Sequence, residues 1–466
     1  MSEFINRPLS RRGFLGGATV AAGLGLTACG GGQQKAAEAP SGKEGGGTIT
    51  AGTAYSTQNY DPSTTSSALA LGVNWQVVEG LYGLNFHDYS TFNELATADP
   101  KKVDDYTFEI TLRDGAKFSD GNEVKADDVV ESFNRSAAKG SVYVPMLSPI
   151  ASVEKKDDKT VTVKTTIANF SLLKERLSIV RVVPASSSQD EMKKQPVGSG
   201  PWQFESISDN TLDLVPNKNY NGATPAKDDK LHYDVLKDPT ARLTAQQDGT
   251  TLAMEMVPAD AVDQLKGAGC TVDAVQGFGV RFAMFNLGKA PWDNVKVRQA
   301  CLYALDTDKM LANAFSGQAE VATSYLPSSF ANYHKASTVY AHDVDKAKKL
   351  IAESGITPGD VVLRTTDNEQ VKSMATQVKN DLDALGFNVS IVSDTSPATY
   401  AAIDAVDGSW DILLAPGDPS CFGADVDLLL NWWYGDNVWM TKRCPWKESD
   451  EWTKLHELMN KALGQS

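Results

Sequence analysis

Large aromatic side chains near the C-terminus are the residues best suited to contact a ligand. Four of them lie close together in one short segment: Trp432, Trp433, Tyr434 and Trp439. Rings of this kind have broad faces and, in Trp and Tyr, a polar edge, so they can stack on a ligand or pack between domains. Because alternating positions cannot all face one cleft, we expect about half of these rings to belong to the core.

Motifs for covalent chemistry are absent from the sequence. It contains no phosphate-binding loop, dinucleotide-binding glycine motif, zinc-protease helix or nucleophile elbow. One pair of carboxylates, Asp418 and Asp425, leaves an exported hydrolase as an alternative. We otherwise predict a protein that is not an enzyme and needs no cofactor. The histidines are scattered with no pair four residues apart, so we expect no metal site built from them: His87, His232, His334, His342 and His456.

The charge of the chain argues against nucleic acid as a partner. The sequence has 466 residues, a formal net charge of -15 at pH 7 and no long run of Lys or Arg. Binding to a phosphate backbone requires a basic surface, which this composition does not supply. The acidic surplus is better explained by solubility, and we expect a monomer.

The N-terminus has the pattern of an export signal. Arg11 and Arg12 form a twin-arginine pattern ahead of the apolar stretch 13–26, which is too short to span a bilayer. The segment 26–29, Leu-Thr-Ala-Cys, resembles a bacterial lipobox. That resemblance implies a signal peptide over 1–28, a lipidated Cys29 and anchoring at the outer face of the cell membrane. Residues 29–47, rich in Gly, Ala, Glu and Pro, are predicted to form a flexible tether.

Four cysteines remain beyond the signal segment: Cys270, Cys301, Cys421 and Cys444. They could pair in three ways, and the sequence does not choose between them. We favour a Cys421–Cys444 bridge, because it would close a loop rich in turn residues outside the cytosol. Cys301 lies on the apolar face of a predicted helix and fits a buried free thiol.

The N-terminal half is predicted to alternate between strands and helices. Residues 48–53 alternate as a strand, and 69–84 have helical spacing up to Gly83. Residues 102–112 form an amphipathic strand pattern. A glycine-rich hairpin then leads into a helix at 125–133, with acidic residues near its positive end.

The C-terminal half has the pattern of a sheet covered by helices. Val297, Ala300 and Cys301 begin an apolar helical stripe. A capped helix is predicted from Asp343 to Gly355. Strand, helix and strand patterns follow at 361–364, 371–385 and 387–391, which is the β-α-β order of such a sheet.

Seven ordered motifs resemble the family 5 extracytoplasmic solute-binding proteins of ABC importers. Residues 112–121 (LRDGAKFSDG) and 125–135 (KADDVVESFNR) carry the strongest likeness. Further blocks follow in the family's order at 196–202, 216–220, 238–243, 285–287 and 291–300. The resemblance implies a periplasmic-binding-protein-like α/β fold: two lobes with a hinge, mixed sheets covered by helices, and an extra inserted domain.

The resemblance also implies domain boundaries. Domain I is expected at 48–83 and 196–273, domain II at 84–195 and domain III at 274–466. The glycines of Gly198-Ser199-Gly200 would lie in the crossover back to domain I, where a side chain would obstruct packing. Family chains usually return from domain III to domain I at their C-terminus, so we expect this sequence to be a truncated copy.

The function implied is capture of a peptide between the lobes and its delivery to the permease subunits of an importer. By resemblance, Asp418 is the candidate for binding the peptide's ammonium group, and a turn carboxylate is the alternative. Trp432 and Tyr434 are expected to contact the ligand from domain III. Tyr55, Asn59 and Trp75 are expected to face them from the other lobe. Stacking of sugar rings on the aromatic cluster leaves an oligosaccharide as the alternative ligand.

Overall fold

The structure is a computed structural model that describes residues 46–139 and 141–464. The predicted signal peptide, the lipidation site Cys29 and most of the predicted tether lie outside these residues. Within them, no helix combines the length and the apolar character needed to cross a membrane. We refer to each of the three larger sheets, with the elements packed on it, as the first, second and third module.

The first module is a five-stranded sheet built from two separate parts of the chain. Its strands pair in the order Ala253–Met254, Thr48–Thr53, Lys230–Val235, Thr211–Pro216 and Trp202–Ile207. The predicted strand at 48–53 is confirmed and runs parallel to both of its neighbours. Helix Ala68–Val77 packs on this sheet. Three short helical elements come after strand Lys230–Val235 in the chain: Pro239–Gln247, Ala259–Ala261 and Val262–Gly267.

The helix predicted over 69–84 ends at Val77 instead. Beyond it the chain is extended, because Gly80 pairs with Arg181 and residues Tyr82–Leu84 form a hairpin with Thr91–Asn93. Tyr82 and its neighbours are buried in a second core, so packing overrides the helical spacing of the sequence.

The second module is inserted between strands of the first. Its strands pair in the order Lys101–Lys102, Thr107–Thr111, Thr160–Thr165 and Ile150–Lys155, and its helices are Ala126–Ser136, Val144–Leu147 and Leu173–Ser178. Helix Gln189–Lys194 follows, and its Met192 is buried in the core of the first module. The single strand predicted over 102–112 is therefore two strands separated by a turn. Asp128 caps the first of these helices by accepting a hydrogen bond from Lys125 N at 2.8 Å, as its predicted position near the positive end favours.

The third module is a mixed sheet with helices around it. Its strands pair in the order Val280–Phe285, Ile412–Gly417, Asp360–Thr366 and Asn388–Asp394. The predicted β-α-β order is confirmed, with helix Glu369–Asp383 between two parallel strands. Helix Val344–Ser354 starts after the cap Asp343 and ends at Gly355, whose φ is 73°. The other helices are Val295–Ala304, Thr307–Phe315 and Ser396–Asp404.

The segment after the third sheet packs on the second module. It contains the turn Ser420–Phe422, helix Val426–Tyr434, the π-helical turn Trp439–Arg443 and helix Asp450–Leu463. Phe422, Leu428 and Leu463 belong to the same buried cluster as the core of the second module. The aromatic segment is thus largely helical, and Trp439 belongs to the buried residues. The domain boundaries given above stay a prediction.

The four described cysteines are all free, so the predicted Cys421–Cys444 bridge is wrong. Cys421 packs against the core of the second module, whereas Cys444 follows the π-helical turn. Cys301 is buried with a relative exposure of 1%, as predicted. Burial satisfies these thiols as small apolar groups.

A buried ion cluster joins the second module to the C-terminal segment. The guanidinium of Arg176 is fully buried and donates to both carboxylate oxygens of Asp425, at 2.6 and 3.1 Å, and to Asp427 at 2.7 Å. Its remaining nitrogen, Nη1, donates to the Met146 carbonyl at 2.6 Å. Every nitrogen of this arginine therefore has a partner.

We expect Arg176→Met to destabilise the protein by about 3–5 kcal/mol, because two buried carboxylates would lose their cation. The midpoint of urea unfolding measures the effect. Lys349→Met is the matched control: it removes a helix-surface pair with Glu353 in which the lysine side chain is 75% exposed. The control should cost less than about 1 kcal/mol. Equal effects of the two changes would contradict a structural role for the Arg176 cluster.

Gly198 and Gly200, the glycines of the crossover, pack directly against the backbone at the end of helix Ala68–Val77. A Cβ on Gly198 would lie 2.0 Å from the Val77 carbonyl oxygen. We expect Gly198→Ala to lower stability by about 1–3 kcal/mol through this clash, seen as a lower urea midpoint. Gly267→Ala, where a Cβ would meet nothing within 4 Å, should be neutral or stabilising. A neutral Gly198→Ala would show that the crossover is looser than described.

Candidate functional site

A small cavity lies between the first module, the second module and the segment after the third sheet. It has a volume of about 20 Å³, enough for a water molecule or another small polar group. Its walls come from two modules and the C-terminal segment: Pro62, Leu71, Asn74 and Trp75 from the first module, Tyr143, Ile179 and Arg181 from the second, and Cys421 and Phe422 from the segment after the third sheet. A molecule in this cavity would be enclosed by parts of the chain that are far apart in sequence.

Arg181 provides the positive charge of the cavity. Its guanidinium carbon lies 3.4 Å from the centroid of the Trp75 ring, and its Nη1 donates to Glu94 at 2.5 Å. Its side chain is 5% exposed. Among the described residues, Nε and Nη2 of this arginine have no hydrogen-bond partner. A buried donor left without a partner costs about 1–3 kcal/mol, so a bound molecule or water would be expected to satisfy it.

Asn74 contributes an acceptor to the same cavity. Its Nδ2 donates to the Tyr60 carbonyl at 2.9 Å, which fixes the orientation of the amide. Its Oδ1 is buried and accepts no hydrogen bond from the described residues. Two residues of the cavity wall, Asn74 and Arg181, therefore carry buried polar atoms that have no hydrogen-bond partner among the described residues.

Two ion pairs surround the arginine. Glu79 accepts from Arg113 at 3.1 Å, beside the Glu94–Arg181 pair. Burial raises the pKa of Glu94, and the charge of Arg181 opposes the rise. Burial likewise lowers the pKa of Arg181, against the charge of Glu94. Because the side chains lie in hydrogen-bond contact, we treat them as an ion pair that neutralises only one edge of the guanidinium.

The backbone around Gly80 positions these groups. Asn74 and Trp75 lie in the last turns of helix Ala68–Val77, and Gly80 then pairs with the extended segment that carries Arg181. A Cβ on Gly80 would lie 2.8 Å from the Val180 carbonyl and 3.1 Å from Arg181 Nη1. Only glycine permits this approach, so Gly80 fixes the helix end and the arginine relative to each other.

A second group of charges lies between the first and third modules. Burial and the negative charge of Glu255 raise the pKa of Tyr55, while Arg281 opposes the rise. Burial lowers the pKa of Arg281, which Tyr55 and Asp418 oppose. These groups lie within electrostatic reach of one another. Arg281 Nε also donates to Gln370 at 2.9 Å.

An open pocket of about 300 Å³ lies on the first module beside this group. Glu255 lines it and accepts from Thr53 Oγ1 at 2.5 Å and from Ala54 N at 3.0 Å. Gln76 also lines the pocket and donates to the Tyr233 hydroxyl at 2.6 Å. The pocket wall therefore includes polar groups that are already hydrogen-bonded within the first module.

Three of the residues predicted for the site lie close to these features. Trp75 lines the small cavity. Tyr55 and Asp418 approach each other between the first and third modules. Asp418 is exposed and also forms a turn, because its Oδ1 accepts from Ser420 N at 2.9 Å and from the Ser420 hydroxyl. This geometry fits the alternative role of a turn carboxylate and leaves Oδ2 outside that turn.

The other three predicted residues make their contacts away from the cavity and the group of charges. Asn59 serves its own turn: its Oδ1 accepts from Asp61 N at 3.1 Å, and its Nδ2 donates to Thr64 at 3.3 Å. Trp432 packs behind the cavity wall, 5.3 Å from Phe422 between ring centroids. Tyr434 lies beside Trp446 and does not line the cavity.

The sequence interpretation missed Arg181 and Asn74. Arg181 is the one charged residue in the apolar run 179–183, Ile-Val-Arg-Val-Val, and a lone arginine in a buried strand-like run is an informative signal. Asn74 gave no comparable signal, because an asparagine in a helix is usually exposed.

Comparisons with known proteins agree on one family. A sequence model described as bacterial extracellular solute-binding proteins, family 5 Middle, matches residues 92–440. Heme-binding protein A of Haemophilus influenzae is 32% identical over 69% of this chain and 64% of its own length. The glutathione-binding protein GsiB of Pectobacterium atrosepticum is 27% identical over 72% of this chain and 67% of its own length. The matched region thus spans less than two thirds of the Haemophilus protein and about two thirds of GsiB.

The fold is shared with solved structures. A dipeptide binding protein from Pseudoalteromonas sp. SM9913, in complex with Met-Leu, superposes with a TM-score of 0.79 at 21% identity. The match covers 90% of this chain and 88% of that one. The likeness confirms the predicted periplasmic-binding-protein-like α/β fold.

Thiol reactivity tests how tightly the cavity wall is packed. Burial raises the pKa of Cys421, of Cys301 to about 12 and of Cys444 to about 11. At pH 8 these thiols should be almost entirely protonated and should react slowly with iodoacetamide. We expect the half-buried Cys270 to be alkylated first in the folded protein, as mapped by mass spectrometry. Denaturation without reductant should expose all four; protection of Cys421 and Cys444 would instead indicate a bridge.

Proposed function

This chain belongs to family 5 of the bacterial extracellular solute-binding proteins, and from that premise we propose that it captures a short peptide between its modules. The peptide would leave chemically unchanged and be delivered to the membrane subunits of an ABC importer. The observation that carries the proposal is the cavity whose walls come from the first module, the second module and the C-terminal segment, and whose lining residues Asn74 and Arg181 have polar atoms without partners among the described residues. Closure of the modules around a ligand would satisfy those groups.

The ligands named for the relatives support a peptide. The Pseudoalteromonas protein holds Met-Leu, and GsiB is named for glutathione, which is itself a short peptide. The Haemophilus protein is named for heme, so family membership alone does not select the ligand. In this chain the choice rests on the pairing of cationic and anionic groups between the modules, which matches the two charged ends of a peptide.

Asp418 is proposed to bind the peptide's ammonium group. Its position at the carboxyl end of the strand Ile412–Gly417 brings it to the same side as Tyr55 of the first module. A Cβ on Gly279 would lie 3.2 Å from Asp418, so the glycine leaves room for the carboxylate. Trp75 is proposed as an aromatic wall of the site. The proposed role of Trp432 becomes indirect, since it supports the cavity wall through Phe422.

The structure argues against the hydrolase alternative, because Asp425, the second of its two carboxylates, is held in structural contacts. Asp425 is buried, pairs with Arg176 through both oxygens and caps helix Val426–Tyr434 by accepting from Leu428 N at 3.1 Å. A carboxylate bound in this way is not available as a general acid, base or nucleophile.

The oligosaccharide alternative loses its stacking surface. Trp433 packs against Phe282 at 5.0 Å and against Trp439 at 5.5 Å between ring centroids. These rings form a cluster with one another, and neither Trp433 nor Trp439 lines the cavity. The aromatic density of the segment is therefore explained by packing.

The cellular setting is proposed from the N-terminal sequence. Export through the twin-arginine pattern and lipidation at Cys29 would hold the folded part at the outer face of the cell membrane, as a monomer near its importer. Radiolabelled palmitate incorporation that is lost in Cys29→Ala would support the anchor.

The ligand class is tested by melting curves of the protein expressed from residue 30. We expect a mixture of free-acid tripeptides to raise the melting temperature and a mixture of oligosaccharides to leave it unchanged, because only a bound ligand stabilises the folded state. Stabilisation by sugars alone would contradict the proposal, as would turnover of any ligand added.

Asp418→Asn tests the ammonium site within the same assay. Loss of one charge-assisted contact of about 1.5–3 kcal/mol should weaken binding of free-amine tripeptides about tenfold or more, and that of acetylated ones much less. Asp407→Asn is the matched control, since Asp407 forms the same kind of turn with Ser409 N at 2.9 Å. Equal responses of free-amine and acetylated peptides would remove Asp418 from the site.

A further inference from the structure

The turn that contains Asp418 is hydrogen-bonded to a second segment of the chain, Gly277-Phe278-Gly279. Phe278 N donates to Ser420 Oγ at 2.7 Å, and the Ser420 hydroxyl donates to Asp418 Oδ1. Because the Phe278 N–H uses a lone pair of Ser420 Oγ, the hydroxyl hydrogen of Ser420 is free to point at the carboxylate. The orientation of Asp418 is therefore linked to the position of the Phe278 backbone.

The two glycines leave room for this approach. A Cβ on Gly277 would lie 2.7 Å from Ser420 Oγ, and a Cβ on Gly279 would lie 3.2 Å from Asp418. Glycine also gives the backbone wide conformational freedom, so a residue with glycine on both sides has little local restraint. The position of Phe278 N must therefore be fixed by the packing of the Phe278 side chain.

The ring of Phe278 packs between aromatic side chains from two parts of the structure. It is 6% exposed, and its centroid lies 4.3 Å from that of Phe330, which is located between two helices of the third module. On another side its centroid lies 5.5 Å from that of Tyr89. Tyr89 lies at the tip of the hairpin whose Tyr82 is buried in the core of the second module. The second module thus reaches the segment beside Asp418 through Tyr89.

The hairpin tip holds Tyr89 in a defined conformation. Tyr89 N donates to the Asn85 carbonyl at 2.7 Å, and Asn85 N donates to the Ser90 carbonyl at 2.9 Å. The φ of Tyr89 is 59°, a left-handed conformation that is unfavourable for a bulky residue. Such a conformation persists only where surrounding contacts compensate for it. The packing of the ring against Phe278 and Phe330 is the contact that does so here.

We propose that Tyr89 is a positioning residue for Asp418, an inference that rests on the proposed function. Packing of its ring on Phe278 fixes the Phe278 N–H, which holds Ser420 Oγ, and the Ser420 hydroxyl holds Asp418 Oδ1. Without Tyr89 the segment between the two glycines gains conformational freedom. Asp418 then spends less time in the orientation that binds the ligand, and the apparent affinity falls in proportion.

The first test measures the preference for free-amine over acetylated tripeptides, because this ratio reports on Asp418 and a general loss of stability does not change it. We expect Tyr89→Ala to lower the preference about fivefold or more and Tyr89→Phe, which keeps the ring, to retain it. Tyr106→Ala is the matched control, since Tyr106 also lies in the second module but is 52% exposed. A folded Tyr89→Ala protein with the wild-type preference overturns the proposal.

A double-mutant cycle tests the route through Ser420. Ser420→Ala removes the hydroxyl that holds Asp418 Oδ1 and should lower the preference by itself. Tyr89→Ala should then cause little further loss in the Ser420→Ala protein, because both changes act on one chain of contacts. Additive losses would show that Tyr89 acts independently of Ser420, and they would overturn the proposal.

Hydrogen exchange of the Phe278 amide separates this inference from the proposed function, since it requires no ligand. We expect exchange about tenfold or more faster in Tyr89→Ala than in the wild-type protein, and no change in Tyr106→Ala. If no tripeptide binds but Tyr89→Ala accelerates this exchange, the proposed function fails and the chain of contacts from Tyr89 to Ser420 is supported. If tripeptides bind and Tyr89→Ala changes neither exchange nor preference, the proposed function stands and the inference fails.

Discussion

The buried guanidinium of Arg176 is the constraint on which the candidate site depends. It lies in the core of the second module, yet two of its three partners are Asp425 and Asp427 of the C-terminal segment. Removing these charges from water is costly, and only the complete set of contacts offsets that cost. The Arg176–Asp425 pair therefore fixes the start of helix Val426–Tyr434. The turn Ser420–Phe422 just before it then places Cys421 and Phe422 in the cavity wall.

A comparison of two buried arginines separates structural from ligand-binding roles. Arg176 and Arg181 lie in the same module, and both have side chains that are at most 5% exposed. All nitrogens of Arg176 have protein partners, whereas two nitrogens of Arg181 have none among the described residues. Native structures rarely leave buried donors unsatisfied. We therefore interpret Arg176 as a residue that stabilises the fold and Arg181 as a residue whose remaining donors bind water or a ligand.

Local patterns in the sequence predicted the elements well where neighbouring residues decide them. The strand at 48–53 and the capped helix after Asp343 both follow from short-range rules. Patterns failed where distant parts of the chain decide. Helical spacing continues past Val77, but pairing of Gly80 with Arg181 ends the helix. The Cys421–Cys444 pairing failed for the same reason, since the two thiols pack in different surroundings.

The candidate site was predictable only in part, because it is defined by buried polar atoms that lack hydrogen-bond partners among the described residues. Family resemblance placed Trp75, Tyr55 and Asp418 near the junction of the modules, but no motif marks a hydrogen bond that is missing. The same site also indicates how a ligand could shift the balance between open and closed forms. A ligand shifts an equilibrium between open and closed forms only by binding them differently. A ligand held between Tyr55 and Asp418 would contact the first and third modules at once, so opening would remove one of the two contacts. Binding energy gained there is therefore specific to the closed form.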